Sequence, residues 1–260
     1  MRVEGDRMRL KAWAIGRIPL RYQVPLRYWY RRVTHRLEKE LPIVLQLIPR
    51  GHIAVDVGAN NGVYTYALSK WGAQVEAFEP LPSCARAIAA FRSSNVRVHE
   101  VALSSATGAR ELFVPQISGV LHTALARFSR PAGAFEAIRV PVRRLDDFGF
   151  RDVSFIKIDV EGHELEVLRG GAETIATCHP LLLIEVEQRH LELSMEDVFS
   201  EVLRFGYRGF FVLCERLAPL KDFSYKLHQQ PFLGNVLSPD YVNNFIFLHD
   251  GFRLCRQPTW

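Results

Sequence analysis

A doubly wound, mainly parallel α/β sheet is the fold this sequence predicts, and three observations predict it. Short β-rich runs alternate with helical stretches from about residue 52 to residue 205, which is the pattern of βαβ units. The first of these runs ends in a glycine turn at Gly58 and Gly62 and leads directly into a helix, as at the carboxyl edge of an open α/β sheet. The last two strand-like runs, 208–214 and 244–249, have no clear helix between them, so they are expected as an antiparallel hairpin at one edge.

Each element has a local reason. Residues 1–33 are expected as a helical basic arm in which Arg17, Arg21, Arg27, Arg31 and Arg32 alternate with Trp13, Tyr22, Tyr28, Trp29 and Tyr30. Pro19 and Pro25 are expected to break any long helix there. Leu37, Leu41, Val44, Leu45 and Ile48 then recur at helical spacing, with Thr34 as a cap. The domain proper is expected over 34–260. It continues with strands at 52–57, 74–78, 96–101, 155–160 and 181–186, and a short one at 111–114. Helices are expected at 63–71, 83–91, 164–168 and 195–205. Residues 115–135 fit neither period and are expected as a loop or lid.

Length and composition suit one sizeable domain with appendages. Of the 260 residues, 48% are hydrophobic and 23% charged, which excludes general disorder. Four cysteines with no CxxC pair (Cys84, Cys178, Cys214 and Cys255) read as free thiols, not a zinc site or a disulfide framework. The net charge of +5 is uneven. Residues 1–50 carry 12 Lys or Arg against 4 Asp or Glu, a balance of +8, and the remainder carries −3. A slightly acidic body argues against nucleic acid as a partner; the basic arm reads first as a solvated or packed extension, and second as a peripheral contact with an anionic membrane or a polyanionic partner. Basic residues interrupt every apolar run near the N-terminus, and no 18 apolar residues stand in a row. A cytoplasmic location is the expectation, with contact at the inner face of the membrane as the alternative.

The strongest local signal is Val55-Asp56-Val57-Gly58-Ala59-Asn60-Asn61-Gly62. Glycine admits backbone angles that other residues resist and lets a ligand approach the main chain. The helix that follows presents free N–H groups. A dinucleotide turn reads G-x-G-x-x-G; here Asn60 stands where the second glycine would approach a pyrophosphate. Glu79, 23 residues after Asp56, ends the second strand, where a carboxylate accepts ribose hydroxyls. Turn and acid together indicate an adenosyl ligand and favour S-adenosylmethionine over NAD, leaving a nicotinamide-dependent oxidoreductase as the rival reading.

A second constellation is Phe155-Ile-Lys-Ile-Asp-Val-Glu-Gly-His-Glu164. Charges on a central strand are costly unless paired or used. Lys157 with Glu185 reads either as a buried ion pair across neighbouring strands or as catalytic machinery. With VDVGANNGVYT, these motifs, FEP at 78–80, VALS at 101–104, RRLDDF at 143–148, FIKIDVEGHELEVLRGG at 155–171 and PLLLIEVE at 180–187 resemble the FkbM-type methyltransferases in the same order from about residue 40 to 250. Asn61 departs from the family pattern, which has a bulky apolar residue there.

The resemblance implies a Rossmann-like class I methyltransferase sheet of seven strands with one antiparallel strand. It also implies S-adenosylmethionine as cofactor and transfer mostly to hydroxyl oxygens of sugars, glycans or natural products. Asp56, Gly58, Asn60 and Glu79 would hold the cofactor, together with Ala59 and Gly62 of the same turn. Ala102 and Leu103 would flank the adenine, and Asp159 would lie near the sulfonium. A hydroxyl acceptor must lose its proton, and a general base contributes about 10²–10⁴-fold. His163 is the first candidate because an imidazole titrates near neutrality, and Asp159 is the second; His122 and His190 follow. Asp159, Glu161 and Glu185 form an alternative set of oxygen ligands for magnesium, although no metal is the first expectation. A non-catalytic S-adenosyl-binding protein is the remaining alternative; the charges kept on a buried strand speak against it.

Overall fold

The computed structural model of the protein describes residues 18–252, so Trp13, Arg17 and Cys255 lie outside it. Its centre is a parallel pair, β1 (Ile53–Val57) and β8 (Val153–Ile158). Both strands are nearly continuous apolar runs, because helices cover the sheet on both sides. Val55, Ile156 and Ile158 belong to one apolar core, and Ala54 and Phe155 to the other.

From β1 the chain runs through helix α3 (Val63–Trp71) to β2 (Gln74–Phe78), then through α4 (Pro82–Ala90) to β3 (Val96–His99). On the other side of β8 lie α5 (Glu164–Gly170), α6 (Ala172–Cys178), β9 (Leu181–Glu185), α7 (Met195–Leu203) and β10 (Tyr207–Leu213). Then follow β11 (Arg216–Pro219), the single turn α8 (Tyr225–His228) and β12 (Asn244–His249). Ser194 caps α7, accepting from Asp197 N while the Asp197 carboxylate accepts from Ser194 N.

The main sheet has eight strands in the order β11-β10-β12-β9-β8-β1-β2-β3, where seven were expected. The expected antiparallel pairing of β10 with β12 forms, but this pair is not at the edge. β12 inserts between β9 and β10 and runs antiparallel to both, and the added edge strand β11 pairs antiparallel with β10. Phe245 and Phe247 on β12 are fully buried, which explains the insertion: an edge would leave them half wet.

A second sheet, β4-β7-β5-β6, stands beside the first. It holds β4 (Ala102–Leu103), β7 (Phe135–Arg143), β5 (Gly108–Ile117) and β6 (Val120–Leu121). The expected loop at 115–135 is therefore only partly a loop. β5 runs on to Ile117, β6 turns back on it, and a 3₁₀ turn at Thr123–Leu125 follows. β7 carries Val140 and Val142 inward between exposed Arg139, Pro141 and Arg143.

The described part of the N-terminal segment is helical, but the expected break at Pro25 does not occur. Residues Leu20–Val33 form α1, a helix of 14 residues that contains Pro25. An internal proline costs about 3 kcal/mol in an exposed helix, and here packing offsets it. Val24 is fully buried, Tyr28 is nearly so, and the helix lies across α3 and α4. Thr34 ends α1 instead of capping the next helix, α2, which spans only Leu41–Leu47. No helix among the described residues is long and apolar enough to cross a membrane.

Candidate active site

The carboxyl ends of β1, β2 and β8 converge on one cavity. Gly58 N and Ala59 N both donate to Phe78 O, at 3.0 and 3.1 Å, and Asp159 N donates to Val57 O at 3.1 Å. Gly58 sits at φ 76°, and a Cβ there would lie 1.9 Å from the Asp159 carbonyl oxygen. Only glycine fits where the three strand ends are tied together. Asn60 also takes a left-handed backbone, at φ 44°. Its N–H donates to Glu79 Oε2 at 2.6 Å, and Leu81 N donates to Glu79 Oε1 at 2.8 Å. Burial raises the Glu79 carboxyl to about 7 against these two donors.

Six of the nine expected cofactor residues line this cavity: Gly58, Asn60, Glu79, Ala102, Leu103 and Asp159. Asp56, Ala59 and Gly62 do not. Asp56 lies beneath, with Oδ2 accepting from Thr65 Oγ1 at 2.6 Å and Oδ1 buried without a partner. Burial raises its pKa, and Lys157, opposite it on β8, opposes the rise. Gly62 is covered by α1, since a Cβ there would meet Val24 Cγ1 at 3.1 Å. Beside it, Arg27 donates to the Asn61 side-chain oxygen. The family departure at Asn61 thus has a partner on a helix that the motifs do not include.

The Lys157–Glu185 pair does not form. Lys157, 3% exposed, donates to Asp159 Oδ2 at 2.7 Å and lies 4.6 Å from the Tyr64 ring centre. Burial lowers its pKa, but the carboxylates of Asp159, Glu38, Glu185 and Asp56 outweigh that and leave it above the ordinary lysine value. Glu185 instead accepts from Asn243 Nδ2 at 2.9 Å. Asp159, Glu161 and Glu185 each have a different partner, and among the described residues no three His, Cys, Asp or Glu side chains gather to hold a metal.

The histidines separate. His163 is buried at the start of α5, its Nε2 2.9 Å from Ser104 Oγ and its ring edge-on to Phe128 at 4.6 Å. Burial, and then Arg110, lower its pKa to about 4. It borders a second cavity, not the first. His122 lines neither of these two; its Nε2 is buried without a hydrogen-bond partner. His190 also borders the second cavity, with Nδ1 2.5 Å from Glu161 Oε2. The motifs did not point to Leu112 on β5, nor to Thr123, Ala126 and Phe128 in the segment between β6 and β7, all of which line the first cavity. The inward alternation at Leu112 and Val114 was a signal for the small sheet.

Comparison with known proteins places these features. Residues 56–208, more than half of the chain, match the methyltransferase FkbM domain. No curated protein matches the sequence. Among solved structures, a methyltransferase FkbM from Methylobacillus flagellatus is similar at 19% identity and a TM-score of 0.49, covering 76% of this chain and 43% of its own. A TehB-like SAM-dependent methyltransferase from Corynebacterium glutamicum is similar at 12% identity and a TM-score of 0.46, covering 88% and 97%. This chain thus spans under half the length of the Methylobacillus chain. With DVGAN at the end of β1 and DVEGH at the end of β8 both inside the matched stretch, the chain belongs to the FkbM methyltransferase family.

Proposed function

We propose that the protein transfers the methyl group of S-adenosylmethionine to a hydroxyl oxygen of a sugar, glycan or natural product. The observation that carries the cofactor reading is the sign of the charge around the first cavity. Glu79, Asp159 and Glu161 line it, and no Lys, Arg or His does. That lining attracts a sulfonium and an amino group and repels the pyrophosphate of NAD. The donor set fits the group: the Glu79 carboxylate for ribose hydroxyls, Ala102 and Leu103 for the adenine faces, Asp159 for the cationic end. When bound, S-adenosylmethionine supplies an already activated methyl. The chain's own residues then have to hold the acceptor in line, worth roughly 7–11 kcal/mol as proximity, and to take up its proton.

Calorimetric titration tests the cofactor. Micromolar binding of S-adenosylmethionine and S-adenosylhomocysteine is expected, with none for NAD. Glu79→Ala is expected to weaken the S-adenosyl ligands about tenfold to a hundredfold, as loss of hydrogen bonds to a charged group (about 1.5–3 kcal/mol) implies. Tight NAD binding without S-adenosyl binding would overturn the reading.

The partner we assign to α1 is an anionic membrane surface. Tyr22, Leu26, Trp29 and Val33 share one helix face and are 47–74% exposed. Arg21 and Arg32, on the same helix, reach over the rings of Tyr22 and Trp29. Aromatic residues beside arginines suit the headgroup region, and each basic residue adds about 1 kcal/mol near anionic lipid. The protein is expected to sediment with phosphatidylglycerol vesicles and not with phosphatidylcholine vesicles. Leu26→Glu with Trp29→Glu is expected to abolish the difference, and equal sedimentation with both lipids would refute the contact.

A further inference from the structure

The second cavity, of about 290 Å³, shares two walls with the first: Phe128 and Glu161 border both. That volume is at the low end of small-ligand sites, roughly 300 Å³ upward. Arg110, Glu166, His190 and Glu192 stand around it over an apolar floor that includes Leu165 and Leu191.

We propose that this cavity is the acceptor site, that it takes a neutral ring bearing several hydroxyls, such as a pyranoside, and that His190, held by Glu161, is the base that takes the reacting hydroxyl's proton. This rests on the S-adenosylmethionine reading above, because the cavity matters only as the neighbour of a methyl donor.

The chemistry of the walls carries the class of acceptor. Glu161, Glu166 and Glu192 accept hydrogen bonds from hydroxyl groups and repel phosphate or carboxylate. The one guanidinium, Arg110, already lies 4.6 Å from the Phe128 ring centre, stacked on it.

The position of His190 carries the base. Its side chain is only 9% exposed, yet it borders the cavity, and the carboxylate at Nδ1 is itself 14% exposed. A carboxylate at Nδ1 holds the proton on that nitrogen and leaves the Nε2 lone pair to accept another. Nε2 has no hydrogen-bond partner among the described residues. The main chain is fixed as well. Gly162, at φ 97°, lets the His190 carbonyl come so close that a Cβ would lie 2.2 Å from it. Gln188 ties the same segment down, accepting from Met195 N at 3.1 Å and donating to Leu193 O at 2.9 Å. His163 lacks this access: its Nε2 is engaged by Ser104.

The step balances. The acceptor oxygen forms a bond to the methyl carbon as the carbon–sulfur bond breaks, and both electrons of that bond remain on sulfur. The hydroxyl proton goes to His190 Nε2. The positive charge passes from sulfonium to imidazolium, which Glu161 stabilises, and solvent later removes the proton. Glu161 is a positioning residue in this scheme.

The test uses the full chain with S-adenosylmethionine labelled in the methyl group and the methyl glycosides of glucose, galactose, mannose and rhamnose. Calorimetry with S-adenosylhomocysteine and ¹⁵N imidazole spectra run in parallel. Wild type is expected to methylate at least one glycoside. His190→Gln is expected to bind S-adenosylhomocysteine within about twofold of wild type and to lose about 10²–10⁴ in transfer. Glu161→Ala is expected to switch His190 from the Nδ1–H to the Nε2–H tautomer and to lose transfer with it, a paired change that a contact outside the proton transfer would not produce. Retained transfer in His190→Gln overturns the base, and an unchanged tautomer in Glu161→Ala overturns the dyad. Binding of S-adenosylhomocysteine without methylation of any glycoside overturns the acceptor class. Absence of S-adenosyl binding in wild type refutes the cofactor reading itself, and this inference with it.

Discussion

Gly58→Ala is expected to abolish S-adenosyl binding and to lower Tm by roughly 10 °C, at about 2–4 °C per kcal/mol for a domain of this size. Two costs combine. A left-handed backbone costs about 1–2 kcal/mol once a Cβ is present. The Cβ would also stand 1.9 Å from the Asp159 carbonyl oxygen, which belongs to a strand end and has no room to retreat. Relieving that contact pushes β8 away from β1 and moves Asp159 out of the cavity wall. Gly51→Ala separates the two costs, because Gly51 has φ 85° and nothing within 4 Å of its added Cβ. It is expected to show the backbone cost alone and to leave ligand binding unchanged. Thermal melts and calorimetry on both variants check this. If the two variants lose equal stability, the close approach of β1 to Asp159 does not persist in solution.

Lys157→Met is expected to destabilise the protein by about 3–5 kcal/mol at pH 8, the usual cost of removing one member of a buried ion pair. Four carboxylates surround that ammonium: Asp159 at 2.7 Å, with Glu38, Glu185 and Asp56 nearby. Burial already raises the pKa of Asp56 and Glu185, and Lys157 opposes the rise in both. Without the lysine these pKa values rise further in the folded state and stay near 4 in the unfolded chain. A raised folded-state pKa contributes stability that is present below the unfolded value and lost as pH rises through the folded value. The deficit relative to wild type is therefore expected to shrink on going from pH 8 to pH 5. Urea denaturation at the two pH values measures it. An equal deficit at both would mean that the loss comes from packing around Tyr64 and not from charge.

Much of the fold was legible because its signals are local. The strand at Gln74–Phe78 and the helix at Val63–Trp71 lie where period and glycine punctuation put them. β7 is harder to read: Ile138, Val140 and Val142 alternate inward, but Pro141 within the run lacks the N–H of an interior strand residue. Strand order was less accessible. β12 enters between β9 and β10 because Phe245 and Phe247 on one sheet face and Ile246 on the other all need apolar cover, and no neighbour in sequence reveals where that cover is.

The sequence by itself determined the α/β class, the family, the acidic turn that ends β1 and β2, and the six residues that meet in the first cavity. Each of these follows from backbone preference and side-chain type over a few residues. Only the tertiary structure decided that Pro25 lies within a helix, that this helix covers Gly62 and puts Arg27 on Asn61, that Lys157 pairs with Asp159, and that Glu161 holds His190. The last of these joins positions 29 residues apart and the Arg27 contact joins positions 34 apart. The physical reason is common to both: such contacts exist only after burial has brought distant segments together, and burial depends on the summed apolar surface of the whole domain.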